Sequence, residues 1–100
     1  MGLHRRGDLW LWVGGPVPPG AAAITIGKVI SIRRDAAGDA RLLRHELVHV
    51  RQWRDLGAVR FLLRYMGAYA YWRARGYPHR AAYHRIPLEV EAELEASRAR

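Results

Sequence analysis

His45-Glu46-Leu47-Val48-His49 constrains this chain more than any other stretch, because H-E-x-x-H carries chemistry only on a helix, where it sets two imidazoles one turn apart with a carboxylate beside them. At about 100° per residue, His45 and His49 fall within about 40° of each other, and Gln52 lies on the same side. Leu43, Leu47 and Val50 share the opposite face, and Leu42 and Trp53 lie on one flank. Arg44 and Arg51 form the only clearly polar stripe, so a helix buried on most sides is predicted. Both histidines then belong to the interior, where each polar ring nitrogen needs a partner. A metal would supply one, and so would ordinary hydrogen bonds within a core.

The last helical segment bears on that choice. With Glu89 as origin, Glu93 sits about 40° away, Val90 and Leu94 to one side, Ala92 and Ala96 to the other, and Glu91 and Glu95 point the opposite way. Glu89 and Glu93 are thereby expected in the middle of an apolar arc. Two buried carboxylates without compensation cost several kcal/mol each, so a cation or strong donors must face them. One zinc ion on His45 and His49 would serve, with Glu89 as third ligand and with Glu93 and Gln52 hydrogen-bonding the ligand imidazoles from behind. The competing arrangement is pairing with arginines, Arg41 or Arg85. Glu46, about 100° around from His45, is then placed to act as base on a water at the open zinc position.

The rest of the chain frames this pair of helices. One hundred residues suffice for a single small domain, 1–100. Cysteine is absent, which excludes thiolate metal sites and disulfides, leaves His and carboxylates as the ligands, and fits a reducing, cytoplasmic setting. Leu9–Val13 reads as a short strand and 14–20 as an extended loop. Ile24–Ile26 and Val29–Ile32 read as two strands joined at Gly27-Lys28, giving a small antiparallel sheet. Asp35 or Asp39 can cap a helix that stops at Gly57; a second runs from Ala58 to Arg75 before Gly76, Pro78 opens a short third, and Pro87 starts the last. The predicted fold is α+β, with the sheet followed by an active-site helix, a backing helix and a C-terminal helix. Core packing is expected of Tyr65, Tyr69, Tyr71 and Trp72. The apolar run 61–72 is broken by Arg64 and is too short to span a bilayer. The net charge of +8 comes from arginines scattered singly or in pairs, which favours a solvated basic surface over a nucleic-acid interface.

His45-Glu46-Leu47-Val48-His49-x-x-Gln52, a helical spacer and Glu89-x-x-Ala92-Glu93 together resemble the gluzincin metallopeptidases, and the length is most similar to the minigluzincins. In gluzincins related to the CAAX prenyl proteases the third ligand opens Glu-x-x-Ala-Asp; Glu93 stands here in place of that Asp. A metzincin is excluded, since Gln52 and Asp55 occupy positions where Gly and His are needed. The resemblance implies a minimal zincin-like fold and a zinc-dependent peptidase, active or latent, acting on a peptide or protein bound in extended form. It also implies that the strand before the active-site helix, Val29–Ile32, pairs with the substrate. Tyr83 and His84 are the candidates for the oxyanion donor this clan often uses. Two other functions remain open from the residues: a non-catalytic domain with structural zinc, and a basic nucleic-acid-binding domain. The oligomeric state is open.

Overall fold

The computed structural model describes residues 2–98. Two hairpins build its sheet. β1 (Gly2–Arg6) and β2 (Leu9–Val13) form the first, β3 (Ala23–Ile26) and β4 (Val29–Ile32) the second, and both pairings are antiparallel. Each closes on a two-residue turn with a glycine at positive φ, Gly7 at 64° and Gly27 at 60°, the conformation that matches the twist of paired strands. The strand order is β1-β2-β4-β3.

That order corrects the expectation of a purely antiparallel sheet: β2 runs parallel to β4, with Trp10 opposite Val29 and Val13 opposite Ile32. The connection 14–22 carries the chain past the open edge, so the second hairpin docks by its later strand. β4 is the better central strand because Ile30, Ser31 and Ile32 are all buried, whereas Ile26 of β3 is exposed. Over Ser31 the connection lies close, and the hydroxyl donates to Pro16 O at 2.5 Å. A Cβ at Gly15 would come within 2.4 Å of Ser31 Oγ, so only glycine permits this approach. Nothing in the sequence pattern marks β1 as a strand. It is exposed along most of its length, buries almost nothing of its own and exists by pairing with β2.

After a 3-10 turn at Arg34–Ala36, α1 (Ala40–Ala74) begins at Asp39, whose Oδ1 accepts from the Leu42 N–H at 3.1 Å. Asp35 instead pairs with Arg33. Gly57, with φ 79° and ψ 162°, breaks α1 into two arms, 40–56 and 58–74, as the sequence predicts. Trp53 and Phe61 stack across the break with ring centroids 4.3 Å apart. α2 (His79–Tyr83) follows Pro78, and α3 (Pro87–Arg98) starts on its proline. No helix among the described residues is long and apolar enough to cross a membrane.

Leu11, Ile30 and Ile32 form the centre of one core layer, against which Leu42, Leu43 and Val50 of the first arm pack. A second layer between the helices holds Val48, Phe61, Ala82, Ile86, Ala92 and Ala96. The alanines let α3 lie close to α1, near enough for the Arg44 guanidinium to donate to Ala96 O at 3.3 Å. This close approach turns α3 away from the expected arc: Val90 and Leu94 are exposed, and so is Leu47 on the first arm.

Candidate metal centre

The first arm of α1 and α3 bring His45, His49 and Glu89 together. One ligand atom from each lies within 4.8 Å of the others. His45 Nε2 is 2.9 Å from Glu89 Oε1, and His49 Nε2 is 3.1 Å from Glu89 Oε2. Donors around a tetrahedral zinc ion at about 2 Å stand about 3.3 Å apart, close to these separations.

Each ring is held from behind. Glu93 Oε1 lies 3.1 Å from His45 Nδ1, and Gln52 Oε1 lies 2.8 Å from His49 Nδ1. Gln52 is fixed in turn, its Nε2 donating to Leu88 O at 3.0 Å and to Glu91 Oε1 at 2.6 Å. An amide oxygen can only accept, so Gln52 places the His49 proton on Nδ1 and leaves the Nε2 lone pair facing Glu89. Two lone-pair bearers then face each other, and the 3.1 Å approach lacks hydrogen-bond geometry: His49 Nε2 is a buried nitrogen with no hydrogen-bond partner. A cation between Nε2 and the carboxylate resolves that orphan. The group could therefore hold one metal ion, and two imidazoles with one carboxylate suit zinc.

Charge in the cluster is strongly coupled. Burial opposes ionisation of Glu89, but the flanking His45 and His49 imidazoles and the Tyr65 hydroxyl outweigh it and hold the carboxyl well below the usual range. Burial likewise disfavours charged imidazoles, yet Glu89 raises both His45 and His49 above their ordinary value.

Glu46 is buried beside the histidines, not on the surface. Its Oε1 accepts from Thr25 Oγ1 at 2.7 Å. Thr25 belongs to β3, so the strand at the sheet edge is tied directly to the carboxylate beside the ligands. Val29–Ile32, expected to pair with substrate, is β4, which is flanked on both sides by β2 and β3. That expectation is corrected, since its backbone groups already serve its neighbours.

Glu93 does not occupy the buried arc expected of it. Its side chain is 51% exposed at the rim, bridging His45 and Arg41. The arginine pairing weighed against zinc thus exists for Glu93 through Arg41, alongside its contact with the imidazole, and not for Glu89. Arg85 instead lies over Tyr77, 4.3 Å from the ring centroid. Glu91 and Glu95, expected to point away, both reach Arg51.

Tyr83 sits half-buried next to Glu89 and Tyr65, and burial followed by the Glu89 charge pushes its phenol up. His84 is exposed, its ring edge-on to Tyr83. The residue that sequence reasoning missed is Tyr65, whose hydroxyl donates to Glu89 Oε2. It stacks on Phe61 with centroids 5.5 Å apart, and burial with the adjacent Glu89 pushes its phenol up. A signal was available: a tyrosine on the inward side of a helix needs a partner for its hydroxyl, and a buried carboxylate needs donors.

A family described as the eCIS core domain matches residues 18–57. The match takes in β3, β4 and the first arm of α1, and ends at Gly57, before Tyr65 and before α3 with Glu89. No curated protein and no solved structure shows a significant match.

Proposed function

We propose that this domain is a zinc-dependent peptidase of the gluzincin kind. The observation that carries the reading is the convergence of the His45 and His49 Nε2 atoms on Glu89, with the carboxylate of Glu46 buried alongside and anchored by Thr25. His45, His49 and Glu89 would hold the zinc ion, which when bound would supply Lewis acidity toward a water and a carbonyl. Glu46 accepts the proton of the attacking water and delivers it to the leaving amine. The Thr25 hydroxyl holds Oε1, leaving Oε2 for the proton. Tyr65 and Tyr83 are the phenols nearest the site and supply the donors for a developing oxyanion, Tyr65 after releasing Glu89 Oε2.

The extended substrate adds to β3, which pairs with β4 on one side only. The reading that competes keeps the zinc and makes it structural, favoured by the burial of His49 and Glu89, each only 5% exposed. Replacing the base separates the two. Glu46→Gln should retain zinc and lose peptide hydrolysis; hydrolysis unchanged in that variant would overturn the assignment of Glu46, and a wild type with bound zinc and no hydrolysis of any peptide library would favour the structural reading.

A further inference from the structure

The outward side of the second arm of α1 is exposed to solvent. Val59, Leu62, Leu63 and Met66 are between 47 and 71% exposed, and at this spacing they form one stripe that Gly67 and Ala70 continue. The other side of the same arm carries Phe61, Tyr65 and Trp72 toward the body of the protein. An arm apolar on both sides belongs between two partners, and the described residues supply only one of them.

Charge indicates the other. Arg60 and Arg64 border the stripe on one flank, and Arg73 continues the line of Leu62 and Met66 at its far end, all exposed. The segment 56–88 contains six arginines and no Asp or Glu. The missing partner is therefore apolar in the middle and anionic at the margins. A second copy is disfavoured, because the arm 58–74 carries three arginines and no carboxylate, so pairing two of them adds like charge and gives none of these arginines an anionic partner. Nucleic acid offers the charge without the apolar body. Exposure runs from Leu62 round to Arg64, about 200° of the helix circumference, so the arm presents a convex rod without walls, a shape that suits a plane.

We propose that this face docks on an anionic lipid bilayer. Val59, Leu62, Leu63 and Met66 enter the boundary between headgroups and acyl chains, and Arg60, Arg64 and Arg73 reach lipid phosphates. Tyr71, exposed near the end of the arm with Arg75 5.1 Å from its ring centroid, sits at headgroup level. The metal centre lies on the opposite side of the arm, where Phe61 and Tyr65 face His49, so docking of the outer face leaves its ligands untouched. Docking does not depend on the metal or on any peptidase activity.

Co-sedimentation of the full chain with phosphatidylcholine vesicles, with and without phosphatidylserine, tests this. Binding is expected only with phosphatidylserine, weakening as salt rises. The double change Leu63→Glu and Met66→Glu should lower partitioning more than tenfold, and Arg60→Ala with Arg64→Ala about fivefold per arginine. Circular dichroism should match the wild type in both variants, since every changed residue is exposed. Failure to sediment with phosphatidylserine vesicles overturns the proposal. So does sedimentation that survives the glutamates in a folded variant. A dimer in solution that the glutamates dissolve would assign the face to a second copy instead. Binding of an acidic amphipathic peptide without vesicle binding would assign it to a protein partner.

Discussion

The two arms of α1 share one helix and differ in almost everything else. The first, 40–56, packs Leu42, Leu43 and Val50 on the sheet and also buries a polar side: His45, Glu46, His49 and Gln52 all have polar neighbours, drawn from β3, α3 or the arm itself. The second, 58–74, is apolar on the side it buries and apolar again on the side it exposes. Gly57 separates them and redirects the chain, so that Phe61 stacks back on Trp53 and Tyr65 reaches Glu89. Burial of polar groups is affordable on the first arm because α3 and the sheet close a network around it. The second arm contributes packing and one phenol, and its outer face is unconstrained by anything in the fold.

This contrast can be broken from either side. The largest expected effect on folding is at Phe61, 5% exposed between Trp53 and Tyr65, where Phe61→Ala should cost about 3–5 kcal/mol in a denaturant titration. Gly57→Ala should cost about 1–3 kcal/mol. No atom lies within 4 Å of the added Cβ, so the whole penalty is backbone conformation at positive φ. Equal stability of Gly57→Ala and wild type would mean that the arms do not need this bend. Gln52→Ala should weaken zinc binding about 10–100-fold, measured by competition with a chelator, by freeing the His49 ring. On the outer face of the second arm, Leu63→Ala should change stability by less than about 0.5 kcal/mol, the counterpart that makes the Phe61 result informative.

Much of this division was legible in the residues. Gly27 and Gly57 announced themselves because positive φ has few alternatives to glycine, and Pro87 opened α3 because the first turn tolerates its missing N–H. Helical spacing sufficed for the convergence of His45, His49 and Glu89. What escaped was set by contacts between elements. β1, with His4, Arg5 and Arg6, has no apolar alternation to read and is held by its partner's edge. The parallel neighbourhood of β2 and β4 depends on how two hairpins dock, which no local pattern records. The turn of α3 that leaves Glu93 at the rim follows from how closely Ala92 and Ala96 let it approach. Tyr65 was hidden among aromatics that mostly do pack.

The arrangement of His45, His49 and Glu89 around one cation is the claim on which the function rests, and elemental analysis of the purified protein addresses it most directly. One zinc per chain is expected in the wild type, retained in Glu46→Gln and lost in His49→Ala and Glu89→Ala. A folded wild-type protein that takes up no zinc when the ion is supplied, or a His49→Ala variant that still holds one ion per chain, would contradict it.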